Sequence, residues 1–159
     1  MSAPHQPVFV GETGARLERL FHDYPTRQAC LLPALWMVQE ERSWISEPAI
    51  EEVARVLGLT PAYVKGVVTF YTMYHTHPVG RHFIQVCTTS PCNICGAEDV
   101  VKALLEKSGC RELGATSPDG RFTVIEVECL GACGFPTPIL VHDDFIEDVT
   151  PDKVPGILQ

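Results

Sequence analysis

Five of the chain's seven cysteines fall in two short stretches, Cys87, Cys92 and Cys95 in the first and Cys129 and Cys133 in the second, spaced C-x4-C-x2-C and C-x3-C. A thiol set of this kind constrains the fold before any helix or strand is assigned. The two stretches are far apart in sequence, so the chain must bring two loops to one place if the thiols act together. An odd total of seven does not suit a fully paired disulfide framework, and such spacings point first to metal binding or redox chemistry.

The rest of the composition narrows the class. The formal charge is −8, from 20 acidic and 12 basic residues, and the Lys and Arg are scattered. Nucleic-acid binding relies on basic neutralisation of phosphates and is not expected. The longest apolar stretches, such as residues 67–74, are interrupted by Thr and fall short of the roughly 18 to 20 residues that span a bilayer, so no direct membrane insertion is expected. The first residues, Met-Ser-Ala-Pro-His-Gln-Pro, resemble neither a secretory signal nor a transit peptide, and a cytoplasmic chain is the simple reading.

Hydrophobic periodicity divides the chain into two parts. From Glu12 to about Tyr74 apolar residues recur at helical spacing: Leu17, Leu20, Phe21 and Tyr24, then a run over residues 28–42 that is apolar on most sides, where Trp36 is expected to pack. A third helix carries Ile50, Val53, Ala54 and Leu57 between Ser46 and Gly58. A fourth starts at Thr60-Pro61 with Val64, Val67, Val68 and Tyr71 on one face. The segment His75-Thr-His-Pro-Val-Gly80 breaks the pattern and marks the expected boundary, dividing residues 1–76 from residues 77–159.

The second part reads as a strand at 83–86, a helix at 97–108 closed by Gly109, a strand at 122–128 after the turn Ser117-Pro-Asp-Gly120, and a strand at 139–141. A hairpin turn at His142-Asp-Asp144 and a last helix capped by Thr150-Pro151 complete it. This β-α-β-β-α order is that of the later part of a thioredoxin-like fold. The expected class is α+β, a small N-terminal helical bundle followed by a thioredoxin-like domain.

On this reading the five clustered cysteines lie at the C-terminal ends of two strands or in the loops just after them, with Cys92 and Cys95 in the loop before the helix. Two close pairs from two loops match a cluster with two irons and two sulfides, which needs two thiolates per iron. Gly96, Gly131 and Gly134 permit close backbone approach to such an anionic group, and the helix beginning near Gly96 would aim its positive end at it. Two other readings stand beside this one: Cys92-Asn-Ile-Cys95 as a thioredoxin-type dithiol, and a structural zinc site. Within the two-iron reading, C-x4-C-x2-C is also the plant-type ferredoxin spacing, so spacing does not choose between Cys95 and one of the later pair.

The segments Gly66-Val-Val-Thr-Phe-Tyr-Thr-Met-Tyr74, Ile84-Gln-Val-Cys-Thr-Thr-Ser-Pro-Cys92 and Glu126-Val-Glu-Cys-Leu-Gly-Ala-Cys133 resemble the thioredoxin-like [2Fe-2S] subunit of NADH:quinone oxidoreductase, respiratory complex I. The resemblance implies a thioredoxin-like [2Fe-2S] ferredoxin domain with one [2Fe-2S] cluster on Cys87, Cys92, Cys129 and Cys133, leaving Cys95 a bystander. It implies a chain that exchanges single electrons with the FMN of a larger NADH-binding flavoprotein partner, within the peripheral arm of the complex on the cytoplasmic face of the membrane. The chain would be enzymatic only as part of that oxidoreductase, with no catalytic residue of its own. Similar subunits occur in NAD-reducing hydrogenases and NAD-dependent formate dehydrogenases. Two features depart from the family pattern: Cys95 is not usually Cys, and Gly134-Phe-Pro-Thr-Pro138 is one residue longer than the usual Cys-x-x-Ala-Pro segment. No Gly-x-Gly-x-x-Gly follows a strand, so NADH and FMN are expected on the partner.

The remaining candidates have simpler readings. Cys30 and Cys110 read as small packed hydrophobes. His75, His77 and His82 read as linker and strand-edge residues rather than a metal site. Trp36, Trp44, Phe70, Tyr71 and Tyr74 read as core or inter-subunit packing, and Asp143, Asp144, Glu147 and Asp148 as a turn and a solvated face.

Overall fold

The computed structural model describes residues 6–142 and 144–159 and resolves into two compact units that divide between Pro78 and Val79. The reading of Asp143 lies outside the described residues.

Among its described residues the first unit holds four α-helices. α1, Gly11–Asp23, turns Leu17 into the core with Leu20 and Phe21 half-buried beside it. α2, Leu31–Arg42, follows a turn of 3-10 helix at Gln28–Cys30 and buries Leu31, Ala34, Leu35, Met37 and Val38. α3, Glu47–Leu57, and α4, Pro61–Phe70, begin as their sequences direct. Ser46 Oγ accepts from the Ala49 N–H and Thr60 Oγ1 from the Tyr63 N–H, and each helix has Pro in its first turn. Gly58 ends α3 at a φ of 68°, a left-handed conformation that glycine adopts without steric cost.

One expectation for this unit fails. Trp36 does not pack inside α2; it is 40% exposed and stands edge-on to Tyr74, ring centroids 6.2 Å apart. A helix apolar on most sides gives no pattern to say which residue faces out, and here the smaller Ala34, Leu35 and Val38 take the centre. Of the aromatic set, Tyr74 alone is core. Its hydroxyl donates to the Leu32 carbonyl at 2.9 Å, and burial, with Tyr71 beside it, pushes the phenol up to about 12. Phe70 is 77% exposed.

A buried carboxylate secures the start of this unit. Glu52, on α3, accepts the Val8 N–H at 2.9 and 3.0 Å and the Phe9 N–H at 3.1 Å, while the Val8 side chain joins the core. Hydrogen bonds to an ionised acceptor are stronger than neutral ones, and removing the acceptor strands two donors. Glu52→Ala is therefore expected to destabilise the helical unit by about 2 kcal/mol. Both tryptophans lie in this unit, so urea unfolding followed by tryptophan fluorescence reads it. An unmoved midpoint would show that the carboxylate contributes nothing.

The second unit is a four-stranded mixed sheet in the order β2-β1-β3-β4. β1, His82–Cys87, runs parallel to β2, Phe122–Val127, and antiparallel to β3, Ile139–Val141, which pairs in turn with β4, Asp144–Ile146. α5, Ser90–Ile94, and α6, Ala97–Ser108, connect β1 toward β2, and α7, Val154–Ile157, ends the unit. The core gathers Ile84, Val86, Val100, Leu104, Val124, Ile139 and Val154. α6 occupies the span expected of it. α5 and β4 are additions to the sequence reading, and α7 starts later than Thr150-Pro151 because residues 150–153 form a turn, with the Lys153 N–H donating to the Thr150 carbonyl. Cys30 and Cys110 are buried among apolar side chains, as expected of packed thiols. Among the described residues no helix is long and apolar enough to cross a membrane.

Candidate metal centre

The site follows from the parallel pairing of β1 and β2. Their register places Cys87, the last residue of β1, beside Val127, the last of β2. Parallel strands end at the same edge of a sheet, so the loops that carry the remaining thiols leave side by side. Three backbone contacts hold the junction together. The Thr88 N–H donates to the Val127 carbonyl, the Cys87 N–H donates to the Pro138 carbonyl, both at 3.2 Å, and the Thr89 carbonyl accepts the Asn93 N–H of α5. Pro138 closes the longer segment that follows Cys133, so that segment returns to β1.

Cys92 lies in α5 rather than in an open loop, and Cys95 caps the end of that helix. Cys87 and Cys92 are buried together with Ala97, and Leu130 packs over them. Cys129 and Cys133 are exposed, their sulfurs 3.9 Å apart. A tetrahedral metal bonded to sulfur at about 2.3 Å holds two thiolates about 3.8 Å apart, so this pair already has the separation of two ligands on one metal.

Local electrostatics tie the two pairs into one set. Burial pushes the Cys87 thiol up, but the N–H groups of Leu130 and Thr89, the Cys92 thiol and the Thr89 hydroxyl outweigh it and bring Cys87 below its ordinary value. Burial pushes Cys92 up to about 11, aided by its hydrogen bond to Cys87 and by negative charge on Cys87, Cys133 and Cys129. Cys133 is raised by its hydrogen bond with Cys129, by charge on Cys129, by burial and by charge on Cys87. Thiols that oppose each other's ionisation are relieved by a bound cation, which is the donor chemistry a metal cluster requires.

The Gly131 N–H donates to Cys129 Sγ at 3.3 Å, from a turn in which Gly131 takes a φ of 84°. Of the three glycines expected to serve close approach, Gly131 thus does so with a defined hydrogen bond. Gly96, at a φ of 94°, instead makes the turn from α5 into α6. Leu130 and Thr89 are donors that the sequence reading did not name; a backbone N–H carries no residue-type signal. Cys95 is exposed; after burial, Cys87 is shifted chiefly by the N–H groups of Leu130 and Thr89, while the thiols that act on Cys92 and Cys133 are Cys87, Cys129 and Cys133.

Among the described residues no three His, Cys, Asp or Glu side chains crowd closely enough to surround a single metal ion. The thiols come as pairs, one buried and one exposed. His82 makes tilted ring contacts with Phe122 and His142, and burial, with His142, Arg81 and Arg121 nearby, lowers its pKa.

The sequence profile of thioredoxin-like [2Fe-2S] ferredoxins matches residues 17–159. The chain belongs to that family. The α+β fold and the [2Fe-2S] cofactor expected from the resemblance are those of the family, and the paired thiols are a donor set that fits such a cluster. Similar proteins include NADH-quinone oxidoreductase subunit 2 of Thermus thermophilus, 41% identical over 145 residues that cover 89% of this chain and 80% of that protein. An NADH-quinone oxidoreductase subunit of Rickettsia bellii is 40% identical over 144 residues, covering 89% and 86%. NADH dehydrogenase [ubiquinone] flavoprotein 2, mitochondrial, of Dictyostelium discoideum is 39% identical over 150 residues, 92% of this chain, which spans only 60% of that relative's length. Among solved structures, an NAD+-reducing [NiFe]-hydrogenase in the H2-reduced state shares the fold, with a TM-score of 0.68 at 19% identity over 81% of this chain and 21% of that one.

Proposed function

We propose that this chain is the [2Fe-2S] electron-transfer subunit of an NADH-quinone oxidoreductase and that Cys87, Cys92, Cys129 and Cys133 hold its cluster. The observation that carries the reading is the convergence of two thiol pairs from the ends of adjacent parallel strands, in a chain about 40% identical to named subunits of that oxidoreductase. When bound, the cluster takes up and returns one electron at a time. The protein's own contribution is to bind and to shield. Cys87 and Cys92 fix one side in a dry pocket under Leu130, and the N–H groups of Leu130, Thr89 and Gly131 meet the negative charge that gathers on the ligand sulfurs. Cys129 and Cys133 present the other side at the surface, the direction from which a partner's flavin would exchange electrons.

The reading extends to partners and place. NADH and FMN belong to a larger flavoprotein subunit, other peripheral-arm subunits complete the assembly, and the chain sits on the cytoplasmic face of the membrane through them. Residues 1–76 act as the helical bundle and residues 77–159 as the cluster domain. A thioredoxin-type dithiol on Cys92 and Cys95 has less support. A reactive dithiol needs an accessible cysteine of lowered pKa, whereas Cys92 is buried and raised.

Protein purified without oxygen is expected to be red-brown, to hold iron and acid-labile sulfide near two each per chain, and to give a [2Fe-2S] EPR signal once reduced. Colourless, iron-free protein would sink the reading. A tagged chain captured from membranes is expected to bring down an FMN-containing polypeptide that oxidises NADH. Capture of hydrogenase activity instead would move the chain to an NAD-reducing hydrogenase.

A further inference from the structure

Thr89 occupies the N-cap position of α5, yet its side chain makes no capping hydrogen bond. This is unlike the helix starts at Ser46 and Thr60, where the hydroxyl accepts a backbone N–H, the ordinary employment of such a residue. With Pro91 in the first turn of α5, one of the N–H groups it would otherwise cap is missing. Thr89 Oγ1 is nonetheless buried and has no hydrogen-bond partner of regular geometry among the described residues. A buried hydroxyl left without a partner is costly, and native structures seldom keep one without a use.

The surroundings of the hydroxyl indicate that use. Thr89 lies in the segment between Cys87 and Cys92, the two thiols of the buried pair. The backbone on either side is fixed by the Cys87–Pro138 and Thr88–Val127 hydrogen bonds and by the Asn93 N–H on the Thr89 carbonyl, so the residue that carries the hydroxyl has a fixed place between the two thiols. The hydroxyl is a buried donor without a partner among the described residues, in the segment that joins the two buried thiols.

We propose that Thr89 is a positioning residue for the iron-sulfur centre, its hydroxyl donating a hydrogen bond to a sulfur on the Cys87 side of the bound [2Fe-2S] cluster and favouring the reduced over the oxidised state. The inference rests on the cluster assignment above. One-electron reduction, by a flavin partner or by a chemical reductant, adds one negative charge to the cluster and strengthens this hydrogen bond. The proton stays on Thr89 Oγ1, and no covalent bond is made or broken.

The test compares wild type, Thr89→Val and Thr89→Ser, purified without oxygen and titrated with dithionite and redox mediators while EPR reads the reduced fraction. At the wild-type midpoint potential the reduced-to-oxidised ratio is expected to fall about tenfold in Thr89→Val, the scale of one hydrogen bond to a charged acceptor, and to recover in Thr89→Ser. Pulsed EPR after exchange into deuterated buffer is expected to show a coupled deuteron in wild type and Thr89→Ser that Thr89→Val lacks. An unchanged ratio with unchanged deuteron coupling in Thr89→Val would overturn the proposal. Should Thr89→Val fail to load, Thr89→Ala separates crowding from loss of the hydroxyl: if Ala loads, its ratio and coupling are judged as for Val. Val and Ala both empty with Ser loaded would support the proposal, and Ser empty as well would overturn it. A wild-type protein without iron would defeat the cluster assignment itself, an outcome distinct from any of these.

Discussion

Serine at Cys87, Cys92, Cys129 or Cys133, one position at a time, is expected to abolish or grossly alter the [2Fe-2S] signal, while Cys95→Ser keeps it. The expectation follows from the grouping of the thiols. Cys87 and Cys92 share one buried pocket, the sulfurs of Cys129 and Cys133 stand 3.9 Å apart, and charge on one pair is felt by the other. A serine oxygen is a harder, less readily ionised donor than a thiolate, which soft iron-sulfur chemistry prefers. The four positions should still differ in degree. Cys92→Ser places a hydroxyl in the driest part of the site and is expected to lose iron outright. Exposed Cys129→Ser has room and solvent for a weaker substitute bond. EPR of the reduced variants, with iron and sulfide analysis, checks this. Loss of signal in Cys95→Ser with retention in Cys133→Ser would exchange those two in the ligand set.

Gly80→Ala is expected to destabilise the sheet unit by about 3 kcal/mol, at the upper end of overpacking costs. A Cβ at position 80 would lie 2.5 to 2.8 Å from the backbone C, N and O of Phe122, and backbone atoms cannot turn aside as a flexible side chain can. The clash falls where β1 and β2 begin to pair. There the Gly80 N–H donates to the buried Thr123 hydroxyl at 2.8 Å, and the His82 N–H donates to the Arg121 carbonyl at 2.6 Å. Spreading the strands at that end tilts the register that sets Cys87 beside Val127 at the other. Hydrogen exchange is expected to show faster exchange of the β1 and β2 amides, with those of the helical unit unchanged. Wild-type protection in β1 and β2 would contradict the close approach.

What the sequence made legible had local causes. α3, α4 and α6 carried their own start and stop signals, Ser46, Thr60, Gly58 and Gly109, and apolar stripes at helical spacing. The strands holding Cys87 and preceding Cys129 were readable as apolar or alternating runs beside a turn. α5 was not, because five residues containing Pro, Ser and Asn have no periodicity to display. β4 is three residues at a sheet edge, stabilised by its partner rather than by its own composition. Trp36 was misplaced because an all-round apolar helix does not state which side is out. In the site, spacing proposed five thiols, and the choice of four of them over Cys95 comes from the family resemblance and is what the serine series tests. The role of Thr89 was illegible for a related reason: Ser46, Thr60 and Thr89 look alike as cap residues, and only the folded backbone shows that one of them does not cap.

The unequal burial of the two thiol pairs bears on how such a centre is built and lost. Folding alone sets Cys87 and Cys92 in place beneath Leu130, whereas Cys129 and Cys133 border solvent. On the proposed assignment, one pair of ligands would be enclosed by the fold, while the other, its sulfurs 3.9 Å apart, would stand within reach of a scaffold that delivers iron and sulfide. The same opening would admit chelators and oxidants, so on the proposed assignment loss of the cluster is expected to begin at the exposed pair.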